Sequence, residues 1–402
     1  MKKSIRIRAA LLAVFLTAGL ANGAGAEWKE ETKFNKVVRR TWVDDSGAEA
    51  VAPEGFSTMT CSYSGTSVTE KYYGPDGEPA AAAGGYYGQV LTYGNKHRLE
   101  EIIYLDENGD RINCTGGYAR VRMTYTSAGR ITSTSYYDET NALVRVPALG
   151  YAQVRNEYRG TTLTKTSYLD ENKKLTDTPF GYAVLIQSVN KSNKVTGIRF
   201  EHADGSPAMS TQGWAVMKRE LDKKNREESV RYYDAAGALT DLGRGYAYEM
   251  KDWENDQTCR VTRFDTQDRQ IAFEGGAAAV LREMNRDELV IRETWLDEAG
   301  NPKENEEGIA AKLYEYDGEG RLTKVSFEGA RGEKAECAAG YTGYREVLDG
   351  DGFVLSRVFL GKDGKPANTV AGYSEIRYLY DENRQVSRTE YYDVNGALIK
   401  SE

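Results

Sequence analysis

Apolar and polar residues alternate over short stretches along most of the chain. In Tyr118–Tyr125, Ala119, Val121, Met123 and Tyr125 fall on one side, and Tyr118, Arg120, Arg122 and Thr124 on the other. In Ser374-Glu375-Ile376-Arg377-Tyr378-Leu379-Tyr380 the apolar side again holds the small residue. A period of two is the mark of a β-strand with one core face and one wetter face. The 3.6-residue period of an amphipathic helix is missing. Strands of about eight residues end in Asp/Asn/Gly turns of the kind that reverse a chain, such as Tyr316-Asp317-Gly318-Glu319-Gly320-Arg321.

The strand pattern repeats about every 32 residues. One ladder is Gly55, Gly85, Gly117, Gly150, Gly181, Gly213, Gly245, Gly276, Gly308, Gly340 and Gly372, usually followed by an aromatic and then a small residue. A second ladder is aromatic throughout: Trp42, Tyr72, Tyr104, Tyr136, Tyr168, Phe200, Tyr232, Phe264, Trp295, Phe327, Phe359 and Tyr391. A third marks the other turn: Tyr63, Tyr93, Tyr125, Tyr158, Val189, Leu221, Trp253, Met284, Tyr316, Leu348 and Tyr380. One unit is therefore a strand, a tight turn, a returning strand, and a longer loop to the next glycine. A lone hairpin is unstable, so neighbours must share a core. The expected fold is all-β: residues 27–402 form a single elongated array of about 11–12 antiparallel hairpins, solenoid-like or a continuous twisted sheet. The unit around Phe264 to Ala279 departs furthest from the pattern and is the expected place for a bend or fray.

Residues 1–26 alter the picture by implying export. Lys2, Lys3, Arg6 and Arg8 precede an apolar run from Ala9 to Leu20, and Ala24-Gly25-Ala26 fits a signal-peptidase site. Removing those four basic residues takes the net charge from −8 to about −12, against a nucleic-acid or anionic-membrane partner. No later stretch is apolar enough to span a bilayer. Cys61, Cys114, Cys259 and Cys337 lack the spacing of a disulfide framework and are read as free.

Tyr316-Asp317-Gly318-Glu319-Gly320-Arg321-Leu322-Thr323 resembles the Y-D-x-x-G-R-L-T core of YD (RHS-type) repeats, with partial copies at Tyr125–Ile131 and Tyr380–Arg384. The Tyr-Tyr-Asp-x-x-Gly half is similar to hairpins of bacterial cell-wall-binding and glucan-binding repeats. Both resemblances imply an exported bacterial surface protein that binds glycans, or encloses or presents other molecules.

Catalytic chemistry is sparse. His97 and His202 have no nucleophile or base at a repeated spacing. No zinc motif, phosphate loop or nucleophile elbow is present. Asp106-Glu107-Asn108-Gly109-Asp110 and Asp349-Gly350-Asp351-Gly352 offer oxygens but no later bidentate carboxylate, so they read as turns rather than calcium loops. No cofactor, metal or catalytic residue is assigned. The aromatics after the glycines carry the binding expectation. Tyr86, Tyr118, Tyr151, Tyr182, Trp214, Tyr246, Tyr341 and Tyr373 alternate onto the polar face, where a regular row of half-exposed rings could stack on an extended glycan. The expected protein is secreted or at the cell surface, non-enzymatic, and binds an extended partner, foremost a polysaccharide. The alternative is a protein-interaction or adhesin-like rod whose open sheet edges permit self-association, and a glycan-active enzyme is a distant third.

Overall fold

A computed structural model describes residues 26–381 and 383–402, so the expected signal sequence, residues 1–26, lies outside the described residues except for Ala26. The described chain is all-β, with 27 strands and only two three-residue helical turns, at Asn95–His97 and Glu274–Gly276. It divides into two compact units. One contains the described residues up to Met217 together with Tyr233–Gly237, and the other contains Lys218–Tyr232 and Ala238–Glu402. In each, hairpins follow one another in an open antiparallel sheet.

The hairpin of Arg120–Tyr125 and Ile131–Tyr137 shows the construction. Val121 pairs with Tyr136 and Met123 with Thr134, which puts the apolar residues on one face as the alternation predicts. The returning strand then pairs with the first strand of the next hairpin, Ser133 with Arg155 and Ser135 with Gln153. At the crossing sits the small residue. The Ala119 amide donates to Tyr137 O and its carbonyl accepts from the Tyr104 amide, both at 2.8 Å. Ala152, Ala183 and Ala310 repeat the two bonds. All four alanines are fully buried where three strands meet.

The third ladder is a row of clamps. Tyr63, Tyr158, Tyr316 and Tyr380 donate their hydroxyls to Val37 O, Ile131 O, Val290 O and Val354 O of the preceding hairpin, at 2.7–3.0 Å. Tyr125 does the same to Leu99 O, and Trp253 uses its indole N–H to reach Glu227 O at 2.9 Å. The YD-like motif is thereby explained residue by residue. Tyr316 clamps backwards. Asp317 Oδ1 accepts from the Glu319 and Arg321 amides, both at 2.9 Å, and closes the turn. The Arg321 amide and guanidinium hold the Asp317 carboxyl below the usual range. Arg321 also reaches forward to Gly350 O of the next turn, at 3.2 Å. Thr323 is squeezed out as a β-bulge, since Glu315 pairs with Lys324 and Tyr316 with Leu322. Its hydroxyl donates back to Glu315 O. Bulges recur at the same place at Glu100, Thr132, Thr164, Thr196, Ile291, Leu355 and Ser387.

Candidate functional site

The glycine-following rings do not stand on the polar face. They turn inward and interleave with the second ladder. In the N-terminal unit ring contacts run Phe56–Tyr72–Tyr86–Tyr104–Tyr118–Tyr136–Tyr151–Tyr168–Tyr182–Phe200–Trp214, with centroids 4.3–6.2 Å apart. In the C-terminal unit they run Phe327–Tyr341–Phe359–Tyr373–Tyr391. Tyr151, Tyr182 and Trp214 are buried, while Tyr86, Tyr118, Tyr246, Tyr341 and Tyr373 are half-buried. The reason is local. The strand of the Tyr118 hairpin begins only at Arg120, and the chain bends through Gly117 and Ala119. Alternation therefore cannot be extended back to Tyr118. Burial pushes the Tyr86 and Tyr341 phenols up to about 12, as core residence requires.

With that row in the core, the tyrosines after the second ladder are Tyr73, Tyr137, Tyr233 and Tyr392, in a slot that also takes Leu105, Leu169, Leu296 and Leu360. The leucines are buried and these tyrosines half-buried. Arg120 lies over the Tyr137 ring at 4.9 Å and Arg377 over Tyr392 at 4.1 Å. Tyr73 pairs instead with Thr58, which has no cation to lay on it. Beside it, Tyr87 occupies the slot that holds alanine in most other units and serine or threonine at Ser57, Thr342 and Ser374. It keeps both crossing bonds, donating to Leu105 O and accepting from the Tyr72 amide. Its ring is displaced outward, and the next residue is Gly88, where a Cβ would lie 2.5 Å from Glu70 O.

Tyr73 and Tyr87 thus wall a crevice of about 40 Å³, completed by Lys71, Pro79, Leu105, Asp106 and Glu107. Asp106 Oδ1 is used by the Asn108 and Asp110 amides, which leaves Oδ2 available. Tyrosine, lysine, aspartate and glutamate residues around one hollow can pack on C–H faces and exchange hydrogen bonds with hydroxyls. The sequence signal was Tyr86-Tyr87-Gly88, where a second ring replaces the usual small residue.

His202 Nδ1 lies 2.8 Å from Asp177 Oδ2, and His97 sits in an exposed turn. All four cysteines are free, with Cys114, Cys259 and Cys337 buried. Among the described residues no three His, Cys, Asp or Glu side chains gather as metal ligands.

The fold and its clamps define a tandem β-hairpin repeat protein. No family model matches the chain, and no curated protein matches it. Among solved structures it is similar to the Tc holotoxin pore of Photorhabdus luminescens bearing a TccC3 point mutation, at 14% identity and a TM-score of 0.21, over 94% of this chain and 21% of that one. It is also similar to a TcdB2-TccC3 structure, at 12% identity and a TM-score of 0.23, over 92% of this chain and 22% of that one. A porin-like protein from Bacteroides uniformis matches at 9% identity and a TM-score of 0.19, over 74% of this chain and 92% of that one. The chain spans about a fifth of the toxin chains' length, and scores this low carry no argument about function.

Proposed function

We propose that this chain is an exported, non-enzymatic hairpin-repeat protein that binds an extended polysaccharide, with the Tyr73–Tyr87 crevice as a principal contact. The observation that carries this reading is the pair of tyrosine rings at Tyr73 and Tyr87. Among the described residues neither has a cation or a second ring stacked on it, and Lys71, Asp106 and Glu107 stand alongside. The export segment and the acidic net charge agree with a neutral or amino-sugar polymer outside the cell and disfavour a polyanion.

Immobilised cell-wall and plant polysaccharides should retain the wild-type protein. Tyr87→Ala and Tyr73→Ala should each weaken retention by about tenfold, since a ring contact of this kind contributes roughly 1.4 kcal/mol. Tyr392→Ala, on a ring already covered by Arg377, should leave it unchanged. No retention of the wild-type protein on any glycan would transfer the reading to a protein partner.

A further inference from the structure

The hairpin of Tyr248–Trp253 and Thr258–Phe264 departs from the ring stacking of its neighbours, and the departure has a geometric cause. The strands Tyr248–Trp253 and Thr258–Phe264 pair without a bulge, from Tyr248 opposite Phe264 to Trp253 opposite Cys259. Omitting the bulge keeps Cys259 and Val261 on the core face, where both are buried. It also turns the end of the strand over, because a one-residue shift exchanges the two faces. Phe264 therefore leaves the column and stacks on Tyr248 at 4.8 Å, 6° from parallel. Arg263 takes its place, with the guanidinium 4.4 Å from the Tyr246 ring and 4.1 Å from the Phe273 ring.

A cation in that position needs a counter-charge. Glu249, opposite Arg263 across the hairpin, accepts from Arg263 at 3.2 Å and from Arg282 at 2.9 Å. Arg282 also donates to Glu293 at 2.8 Å, and Glu293 accepts the Tyr314 hydroxyl at 2.7 Å. The four charged side chains are only 16–24% exposed. Of the other charges near them, Arg231 lies over Tyr248, and Asp268 accepts the Tyr248 hydroxyl at 3.0 Å. Lys251, on the Glu249 strand, is held by Glu227 at 2.7 Å, Arg226 lies over Trp253, and Arg244 lies over Tyr246. Burial alone would push the Glu249 carboxyl up, but Arg282 and Arg263 outweigh it and hold it below the usual range.

We propose that this hairpin is an acid-triggered joint: protonation of Glu249 takes from Arg263 its carboxylate and from Arg282 one of its two, leaves Arg263 an unpaired, half-buried cation, and opens this hairpin while the ring-stacked hairpins stay closed. The sign follows from the direction of the shift. A carboxyl whose folded pKa is depressed stabilises above the ordinary carboxylate range, and that contribution is lost as pH falls through the depressed value. The Glu346–Arg357 pair is the internal comparison, because the Phe327–Tyr391 run of rings beside it is unbroken. Amide hydrogen exchange of the full chain, corrected for intrinsic rates, tests this. Between pH 7 and pH 3, protection in residues 248–264 should fall at least about tenfold more than in the hairpins of residues 120–137 and 343–360. Glu249→Gln should already show the acid value at pH 7 and lose the step. Equal losses in all three hairpins, a step that persists in Glu249→Gln, or wild-type protection of that variant at both pH values would each overturn the proposal.

Discussion

Replacing Tyr72 with alanine is expected to destabilise its surroundings by about 3–5 kcal/mol, the range for truncating a large buried aromatic. Tyr72 is 2% exposed. Its ring lies 4.3 Å from Phe56 at 11°, a stacked pair, and 5.9 Å from Tyr86. Met59 and Ala82 pack in the same cluster. The truncation leaves a cavity and removes two ring contacts that a methyl group cannot replace. Tyr72→Phe separates the ring from the hydroxyl. The hydroxyl donates to Glu70 Oε2 at 3.1 Å, and the Gln89 side-chain amide donates to the same oxygen at 2.7 Å. Glu70 would keep one of its two partners, so phenylalanine should cost only about 1 kcal/mol. Chemical denaturation followed by hydrogen exchange over residues 56–105 checks both. In an array where each hairpin touches only its neighbours, protection lost at Tyr72→Ala should fade within one or two repeats. Tyr73→Ala, one residue away but facing outward, should stay within about 0.5 kcal/mol of wild type.

That contrast between adjacent tyrosines shows what was legible in the sequence. The period, the two-strand unit and the core role of the second ladder follow from spacing and from residues that never vary in kind along the chain. The direction of the glycine-following ring does not follow. Alternation predicts facing only inside a strand, and Tyr118 lies before Arg120, where the strand begins. The bulges were hidden for a similar reason. One extra residue in a strand shifts the pattern by one without any change of composition, and Thr323 looks like an ordinary outward threonine. The inverted hairpin left a trace that can be read afterwards. Val261 stands eight residues after Trp253, whereas Val325 stands nine after Tyr316. The forward reach of Arg321 to Gly350 O is a contact between units, and nothing inside one motif encodes it. The crevice beside Tyr73 was half legible: Tyr87 breaks the small-residue rule, but that no arginine lies over Tyr73 as Arg120 lies over Tyr137 depends on the three-dimensional arrangement.

Gly181→Ala is expected to cost about 3 kcal/mol or more, and Gly245→Ala only about 1–2 kcal/mol, although both belong to the same ladder. Both glycines have positive φ, +90° and +78°. That conformation alone costs an L-residue roughly 1–2 kcal/mol. The difference lies in what passes beside them. A Cβ on Gly181 would sit 2.4 Å from Met209 O, a backbone atom of the next unit's loop, whereas one on Gly245 meets nothing within 4 Å. The loop cannot retreat freely, because the Thr211 amide donates to Phe180 O at 3.3 Å and the Ser210 amide donates to Trp214 O at 3.0 Å. Gly55 and Gly150 are crowded in the same way, by Ala81 O at 2.9 Å and Pro179 Cδ at 2.6 Å. The glycine ladder therefore carries two constraints, a left-handed backbone in every unit and a close loop-on-loop approach in some. Midpoints of chemical denaturation for the two variants separate them. Equal losses would mean that the left-handed backbone alone accounts for the ladder, and a larger loss at Gly181 would show that the next loop is packed against it.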